Sequence, residues 1–245
     1  MNTALITGAN KSIGLETARQ LLQQGYRVYL GSRSLENGQQ AVECLKAEGL
    51  NQVEAIQIDV SNSDSVNAAR AALGEKIESL DALINNAGIS GGRPQSALEA
   101  SIEQYRMVFE TNLFGVVRVT QAFIDLLRKA PEPRIVNVSS SQGSLTLAAD
   151  PHNQYYHHKG AVYQPSKSAL NMYTIALAYE LRDTPIKVNA VDPGFVATDF
   201  NNHRGTGTVQ EAGARIARYA LIGADGPTGQ FFSEEYNPET GAVPW

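Results

Sequence analysis

The sequence predicts an α/β protein: a doubly wound, parallel β-sheet with helices on both faces, folded as a single domain. Three observations predict this class. Short, β-branched apolar runs alternate with longer segments of helical period, a glycine-containing turn follows the first run, and no linker, repeat or low-complexity segment divides the 245 residues. Two average domains would also fit this length, but alternating strands and helices can continue around one sheet to this size. We therefore expect one domain over residues 1–245.

The apolar runs set the expected order of the strands. Six candidate strands and a shorter closing segment are spaced along the chain, at residues 3–7, 26–31, 53–59, 82–88, 134–140, 186–194 and 229–232. The first is followed by an amphipathic pattern that predicts a helix ending at Gly25. Longer helices are predicted over Ile102–Lys129 and from about Ser166 to Leu181.

Composition and charge exclude several classes of function. A net charge of −5 with scattered Lys and Arg residues does not provide the clustered basic face of a nucleic-acid-binding protein. No apolar run is long enough to cross a bilayer, and no charged-then-apolar leader is present. We therefore expect a soluble, cytoplasmic protein without membrane contact.

The few cysteine and histidine residues predict no metal site. Cys44 is the only cysteine, so it cannot form an intrachain disulfide, and its helical context predicts a buried or half-buried thiol. Of the four histidines, His157 and His158 are adjacent rather than at ligand spacing on a helix. Neither a structural nor a catalytic metal is expected.

The turn after the first strand has the composition of a phosphate-binding loop. Residues 7–14 have the sequence TGANKSIG and open the first predicted helix, where unpaired backbone N–H groups and the helix dipole favour a pyrophosphate. Gly8 allows the tight turn, and Gly14 allows close helix packing. A plain turn would also use such residues, but the position directly after an N-terminal strand favours a dinucleotide site of the Rossmann type.

Three more motifs follow at residues 85–88 (NNAG), 163–167 (YQPSK) and 192–194 (DPG). Together with the turn, they resemble the short-chain dehydrogenase/reductase family in order and spacing along essentially the whole chain. The C-terminal stretches 226–232 and 243–245 are similar to those of carbonyl-reductase-like members. The resemblance implies a Rossmann-type oxidoreductase that moves a hydride between a nicotinamide dinucleotide and a small-molecule carbonyl or alcohol.

The residues at the adenosine end favour NADP(H) over NAD(H). NAD-preferring relatives carry an acidic residue after the second strand, whereas this chain has Ser32 followed by Arg33, and a guanidinium suits a 2′-phosphate. Lys11 adds a cation where NADP-using relatives often carry one. Each residue alone would also fit a solvated surface charge, but their joint placement favours the phosphate.

One residue of the turn departs from the family pattern. The family usually has glycine where this chain has Ser12, so a Cβ and a hydroxyl lie near the expected diphosphate. The serine either weakens cofactor binding by its bulk or donates a hydrogen bond to the cofactor, and the sequence leaves both open.

The resemblance also implies where the rest of the cofactor would lie. Its contacts would come from the glycine turn, from the ends of further strands, from the catalytic helix and from the loop after the sixth strand: Gly8, Asn10, Lys11, Ser12, Ile13, Gly14, Arg33, Asp59, Val60, Asn85, Asn86, Ala87, Gly88, Tyr163, Lys167, Pro193, Gly194, Val196 and Thr198. Asp59 and Val60 would adjoin the adenine, and Thr198 the carboxamide or phosphates. Val60 and Val196 also fit simple core positions.

A tyrosine and a lysine one helical turn apart are the expected proton donor and its partner. Hydride transfer to a carbonyl leaves charge on oxygen, which needs a donor held against it. A tyrosine has an ordinary pKa of about 10, which a nearby lysine cation would lower. Tyr163 and Lys167 have this spacing, and so do Tyr155 and Lys159. Gly160 breaks the chain after Lys159, whereas Lys167 opens a predicted helix, so the sequence favours Tyr163 and Lys167.

Ser140 and Asn112 complete the catalytic set that the resemblance implies. Ser140 follows the fifth strand, at the carboxyl edge where ligands bind in such sheets, and would orient the substrate oxygen. Asn112 is an amide in an otherwise apolar helix. In the family this asparagine bends the helix and holds a water that relays protons to the lysine, and a purely structural role is the alternative.

The distance from Ser140 to Tyr163 is longer than is usual in the family. The surplus, about residues 145–162, predicts an inserted loop that forms a flap beside the substrate cleft. A larger insertion at this place covers the oligomerisation face in related carbonyl reductases, so the sequence leaves open whether a homo-oligomer forms. The lid segment after Thr198 is short and glycine-rich, at Asn201–Gly207.

Three functions remain open at this point. They are an NADPH-dependent carbonyl reductase, an alcohol dehydrogenase that uses NAD in the reverse direction, and a catalytically silent NADP sensor. A degenerate sensor is expected to lose the tyrosine or the lysine, and both are present. Reduction of an aldehyde, ketone or quinone is therefore the favoured prediction.

Overall fold

The computed structural model describes residues 1–245 and contains one sheet of seven parallel strands. The strands are β1 Thr3–Ile6, β2 Arg27–Ser32, β3 Val53–Gln57, β4 Ala82–Asn85, β5 Arg134–Val138, β6 Lys187–Val191 and β7 Gln230–Phe232. They lie in the order β3-β2-β1-β4-β5-β6-β7. The chain builds outward from β1 to one edge and then returns to pair β4 with β1. This doubly wound order confirms the predicted fold class.

Eight α-helices connect the strands: α1 Ser12–Gln23, α2 Leu35–Ala47, α3 Ser63–Gly74, α4 Ile102–Phe109, α5 Gly115–Leu127, α6 Leu145–Ala149, α7 Tyr163–Glu180 and α8 Val209–Ala220. On one face, α1, α2 and α8 contribute to a cluster of 23 buried apolar residues. On the other face, α3, α5 and α7 contribute to a cluster of 20. None of the helices is both long and apolar enough to cross a lipid bilayer.

The strands belong to both clusters because successive side chains of a strand point to opposite faces of the sheet. In β1, Ala4 and Ile6 lie in the first cluster and Leu5 lies in the second. The sheet is therefore buried on both faces, as is typical of parallel sheets. The carboxyl ends of the strands remain as the place where polar side chains can gather.

The structure corrects three expectations about the helices. The helix predicted over residues 102–129 is interrupted, because a π-helical turn at Glu110–Phe114 separates α4 from α5. Such turns are frequent at functional sites. The next long helix, α7, begins at Tyr163 rather than near Ser166 and so includes the tyrosine itself. The insertion expected as a flap contains a short helix, α6.

Cys44 is exposed, which corrects the predicted buried thiol. On α2, the residues Ala41, Val42 and Leu45 face the core. Cys44 precedes Leu45 by one residue, and one residue corresponds to a rotation of about 100° around the helix axis, away from the buried side chain of Leu45. Its side chain is therefore on the solvent side of α2.

The C-terminal segment packs against β7 and the insertion. The Trp245 ring stacks on Phe231 with 5.6 Å between the ring centroids. The Trp245 carbonyl oxygen accepts a hydrogen bond from the Thr146 N–H, at an N–O distance of 3.1 Å. The last residue thus ties α6 to the β7 edge of the sheet.

Candidate active site

The glycine turn and the segment after β4 form one unit at the point where the strand order reverses. Gly8 has φ +64°, and a Cβ there would lie 3.0 Å from the Ala87 Cα. Thr7 Oγ1 accepts hydrogen bonds from the backbone N–H groups of Asn86 and Ala87, at 3.1 and 3.0 Å. The Asn86 side chain donates back to the carbonyl oxygens of Thr7 and Gly8, at 2.9 and 3.0 Å. Such switch points are where doubly wound sheets bind ligands.

The N-terminus of α1 has the features of an anion site. α1 begins at Ser12 after Lys11, and no side chain caps it. A Cβ on Gly14 would lie 2.5 Å from Asn86 Nδ2 and 2.6 Å from the Gly8 carbonyl oxygen, so only glycine allows this close approach. The first-turn N–H groups therefore have no capping side chain to compete with a pyrophosphate. These residues fit a dinucleotide cofactor.

Ser12 adopts the left-handed backbone conformation, with φ +54°. A Cβ in this region costs roughly 1–2 kcal/mol relative to glycine. Its neighbours Asn10 and Ile13 are half-buried in the same turn, as Ser12 is. Serine in place of the usual glycine therefore strains the backbone at this position, whichever contact the hydroxyl makes.

The two cations expected at a 2′-phosphate lie in different places. Arg33 follows β2, is exposed and has no ion-pair partner. Burial raises the pKa of the nearby Asp59, but hydrogen bonds from Ser61 and the charge of Arg33 lower that pKa overall. Lys11 Nζ forms an ion pair with Asp199 Oδ2 at 2.7 Å, on the segment after β6. Arg33 alone is thus unpaired at the adenosine end, whereas Lys11 bridges to the other side of the crevice.

Asn85 does not face the crevice, in contrast to the expectation that it contacts the ribose. It is 1% exposed, and its Nδ2 donates to Thr120 Oγ1 at 3.2 Å and to Asn137 Oδ1 at 2.9 Å. It belongs to a polar cluster between β4 and β5. Asn86, which is bonded to the glycine turn, is the member of the motif beside the crevice.

The remaining residues predicted for the cofactor lie near the ends of β3 and β6. Three of them are less than a tenth exposed: Val60, Val196 and Thr198. Gly194 has φ +89°, and its N–H donates to Asp192 Oδ1 at 3.1 Å. The Pro193 carbonyl oxygen accepts a hydrogen bond from Arg215 at 2.8 Å. The three buried residues therefore offer little exposed surface to a ligand.

Ser140, Tyr163 and Lys167 lie together at the carboxyl end of β5. The Ser140 hydroxyl lies close enough to the Tyr163 phenol to lower its pKa, and Ser140 Oγ accepts a hydrogen bond from the Gln142 N–H at 3.2 Å. Lys167 Nζ lies 5.8 Å from the centroid of the Tyr163 ring and donates to the Val138 carbonyl oxygen at 2.7 Å. A Cβ on Gly88 would lie 3.7 Å from the same Nζ, so the lysine reaches the turn after β4. A hydroxyl pair and a cation therefore converge beside the crevice.

Burial changes the pKa of both the tyrosine and the lysine. It raises the pKa of the Tyr163 phenol, which the Ser140 hydrogen bond partly opposes and the Asp192 side chain increases. It lowers the pKa of Lys167 from 10.5 to about 8, against the influence of Asp192. The sequence predicts a lowered pKa for the tyrosine, and the structure gives the opposite direction because desolvation of the phenol outweighs the influence of Ser140. Tyr163 therefore stays protonated at neutral pH.

Asn112 lies in the π-helical turn and is fully buried. Its Oδ1 accepts a hydrogen bond from the Ile89 N–H at 2.9 Å, and its Nδ2 donates to the Ile89 carbonyl oxygen and to Ser166 Oγ, both at 3.0 Å. The side chain thus joins the segment after β4 to α7. These bonds favour the structural alternative for the amide group.

The competing pair Tyr155 and Lys159 does not form a unit in the structure. The Tyr155 hydroxyl donates to Glu235 Oε1 at 2.9 Å. Lys159 Nζ donates to the Ala148 carbonyl oxygen and lies 4.3 Å from the centroid of the Tyr156 ring. Both side chains hold the insertion to its surroundings, and the geometry favours Tyr163 and Lys167 as the reactive pair.

Two residues near Tyr163 are not among the predicted site residues, although Asp192 begins the DPG motif. Asp192 is 4% exposed, and its Oδ2 accepts a hydrogen bond from Ser233 Oγ at 2.7 Å. Burial raises the pKa of this carboxyl, which the hydrogen bonds from Ser233 and Gly194 oppose. The Phe200 ring meets the Tyr163 ring edge-on, at 5.5 Å between centroids. Only the folded chain brings these distant segments together.

The sequence of the chain is similar to those of known reductases and dehydrogenases. The family model described as short chain dehydrogenase matches residues 2–208. A short-chain dehydrogenase of Penicillium roqueforti is 38% identical over 226 residues, with 90% of this chain and 88% of the relative covered. A (+)-neomenthol dehydrogenase of Arabidopsis thaliana is 34% identical, with 95% of this chain and 96% of the relative covered.

Solved structures show the same similarity in three dimensions. An NADPH-bound carbonyl reductase from chicken fatty liver superposes with a TM-score of 0.84 at 28% identity, covering 100% of this chain and 99% of its own. The salutaridine reductase of Papaver somniferum superposes with a TM-score of 0.83 at 29% identity, covering 95% and 100%. Both similarities extend over nearly the whole chain, the crevice included.

Proposed function

The chain belongs to the short-chain dehydrogenase family, and from that premise we propose that it is an NADPH-dependent oxidoreductase that reduces an aldehyde, ketone or quinone to an alcohol. The observation that carries the proposal is the convergence of Ser140, Tyr163 and Lys167 at the crevice beside β4 and β5. These are the groups that a hydride transfer to a carbonyl needs beside the cofactor.

The proposed cofactor site extends from the glycine turn to Arg33. The uncapped N-terminus of α1 would hold the pyrophosphate. Arg33 is exposed and unpaired, so it is available for bidentate bonding to a 2′-phosphate, and Ser32 brings no carboxylate to repel it. When bound, NADPH would supply the hydride.

Tyr163 is the proposed general acid. Its raised pKa keeps the phenol protonated, which is the state that donates a proton to the developing alkoxide oxygen. The Ser140 hydroxyl, near the phenol, would donate a second hydrogen bond to the same substrate oxygen and hold the carbonyl in line. Lys167, with its pKa near 8, can carry a proton at Nζ at neutral pH and return one toward the phenol.

The ion pair between Lys11 and Asp199 assigns Lys11 a lesser part in phosphate binding. Both side chains are more than half exposed, so the pair itself is weak. Lys11 would nevertheless have to leave Asp199 before pairing fully with a phosphate. Arg33 is therefore the proposed determinant of cofactor preference, and Lys11 is proposed to assist it.

The test is oxidation of NADPH and of NADH, followed by absorbance, with a panel of aldehydes, ketones and quinones. The proposal expects turnover of at least one carbonyl class, faster with NADPH at low cofactor concentration. Turnover only in the direction of alcohol oxidation with NAD would support the dehydrogenase alternative. NADPH binding without turnover of any carbonyl, and the same result for the Tyr163→Phe variant, would support the silent sensor.

A further inference from the structure

The first turn of α7 begins at the proposed proton donor and receives no side-chain cap from its own flank. Helix N-termini leave their first N–H groups without partners inside the helix. Val162, which precedes α7, has φ −104° and ψ −55°, and its side chain cannot accept a hydrogen bond. An apolar residue stands where Ser, Thr, Asp or Asn would be preferred. The Gly160 carbonyl oxygen accepts a hydrogen bond from the Gln164 N–H at 3.2 Å, and Pro165 has no N–H, so the Tyr163 N–H is the first-turn donor that needs a partner from elsewhere.

Gln95, in the loop between β4 and α4, supplies that partner from a distance of 68 residues along the chain. Its Oε1 accepts hydrogen bonds from the N–H groups of Val162 and Tyr163, at 3.3 and 3.1 Å. Its backbone carbonyl oxygen accepts a third from the Ala161 N–H at 2.8 Å. Three consecutive N–H groups, the two that precede α7 and the first of the helix itself, are thus bonded to one residue.

The Gln95 side chain is itself held by the loop. Its Nε2 donates to the carbonyl oxygens of Ser90 and Gly92, both at 2.9 Å. Both halves of the amide are therefore engaged: the donor half with the loop, and the acceptor half with α7. The amide links the segment that follows the NNAG motif directly to the backbone of the proposed catalytic tyrosine.

We propose that Gln95 is a positioning residue that caps α7 and fixes Tyr163 relative to Ser140. This inference rests on the proposed function, because it assigns Gln95 its effect through Tyr163. The first residue of a helix is the one most subject to fraying, and a misplacement of about 1 Å at a reacting group can lower a rate about 100-fold. A cap supplied by the cofactor-side loop therefore holds the donor where the carbonyl oxygen must lie.

Two substitutions of Gln95, one by an acidic and one by a basic residue, test the acceptor and donor groups of the amide separately. Gln95→Glu keeps an acceptor for the Val162 and Tyr163 N–H groups but loses the donors to the loop. Gln95→Lys keeps a donor toward the loop but loses the acceptor and sets a cation against the positive end of α7. If the cap matters, kcat falls about tenfold or more in Gln95→Lys and stays within about threefold of wild type in Gln95→Glu. The dissociation constant of NADPH should change less than about twofold in both.

The control is Gln104→Ala, which loosens the same loop without touching α7. Gln104 Nε2 donates to the carbonyl oxygens of Gly91 and Pro94, both at 2.8 Å. This variant should lower the melting temperature comparably to Gln95→Lys and leave kcat within about twofold of wild type. An equal loss of kcat in Gln104→Ala and Gln95→Lys would assign the effect to loop stability and overturn the inference.

Hydrogen exchange supplies a second measurement that needs no substrate. The amides of residues 161–163 should exchange faster in Gln95→Lys than in wild type, Gln95→Glu and Gln104→Ala. Unchanged exchange in Gln95→Lys, or kcat in Gln95→Glu as low as in Gln95→Lys, would show that the cap does not position Tyr163. Failure of the proposed function looks different, because wild type would then turn over no carbonyl while the exchange data still decide whether Gln95 caps α7.

Discussion

The N-termini of α1 and α7 meet the same crevice but are held in opposite ways. Neither is capped by its own flanking side chain. α1 has no side-chain cap at all, whereas the start of α7 is closed by Gln95. The other helices that start from a loop carry a local side-chain cap, from Ser34, Asn62, Ser101, Ser144 and Thr208. The two exceptions are the two termini at the proposed site.

The two termini can therefore serve different purposes at the proposed site. An open terminus keeps its N–H donors for an anion, and its neighbours should affect ligand affinity. At a closed terminus the N–H donors are already hydrogen-bonded within the protein. Such a terminus binds no anion and instead fixes the position of the side chain that it carries. Changes to the cap of α7 should therefore alter turnover with little effect on cofactor affinity, and changes near the start of α1 should do the reverse.

Tyr163→Phe should have the largest effect on turnover, and it tests the side chain carried by the closed terminus of α7. It removes one hydroxyl, and loss of a general acid lowers the rate by roughly 10²–10⁴. NADPH affinity, measured by fluorescence titration, should barely change. The matched control is Tyr155→Phe, whose hydroxyl is bonded to Glu235 in the insertion, and its turnover should stay within a few-fold of wild type. If Tyr155→Phe abolishes turnover and Tyr163→Phe keeps it, the site has been assigned to the wrong tyrosine.

Arg33→Ala tests the proposed cofactor side of the crevice and should change affinity rather than rate. Hydrogen bonds to charged groups contribute roughly 1.5–3 kcal/mol, so NADPH binding should weaken by about 10- to 100-fold and NADH binding by far less. Lys11→Ala should weaken NADPH binding less than Arg33→Ala does, because Lys11 is paired with Asp199. Equal affinities of the unmutated protein for NADPH and NADH would contradict the assignment.

The lowered pKa of Lys167 predicts a pH dependence confined to the closed terminus. Below a pKa of about 8 the ammonium is present, and above it Nζ loses its proton. The value of kcat/KM for NADPH, which reports groups of the free enzyme, should fall by up to about tenfold per pH unit above that point. The pKa of Tyr163 is raised, so its titration should not contribute to the decline near pH 8. A decline that persists unchanged in Lys167→Arg, whose guanidinium keeps its charge, would assign the titration to another group.

The same shift affects stability in a defined direction. The folded chain releases the Lys167 proton at a pKa of about 8, whereas the ordinary pKa of a lysine is 10.5. The unfolded chain therefore binds more protons between these values, and the free energy of unfolding should rise with pH across the window. Urea unfolding at a series of pH values checks it, with Lys167→Met as the variant in which the rise should be smaller.

Ser12→Gly should have the smallest effect. It relieves the left-handed serine backbone, and the greater freedom of glycine in the unfolded chain offsets part of the gain, so stability should rise by no more than about 1 kcal/mol. Removing the Cβ beside the proposed diphosphate should tighten NADPH and NADH alike, by up to about fivefold. Weaker binding of both would show that the Ser12 hydroxyl donates to the phosphate.

Local patterns predict the cofactor half of the molecule better than the substrate half. Neighbouring residues predict the glycine turn, the strands around it and the left-handed backbone conformation of Gly8, because turns and short strands are specified locally. The cap of α7 does not, since Gln95 lies in a loop with no pattern that relates it to Tyr163. The ion pair of Lys11 with Asp199 is likewise formed between segments far apart in sequence. The raised pKa of Tyr163 depends on burial by several segments, which spacing alone does not report.

The solvent-side position of Cys44 allows distances within the molecule to be followed by fluorescence energy transfer. The chain has one thiol and one indole, Cys44 on α2 and Trp245 against β7. α2 packs near the β3 edge of the sheet and Trp245 near the opposite edge, so the full width of seven strands, roughly 30 Å, separates the two regions. A thiol-reactive acceptor dye on Cys44 would therefore pair with the native tryptophan as donor, and energy transfer would report the opening of either edge without any engineered residue.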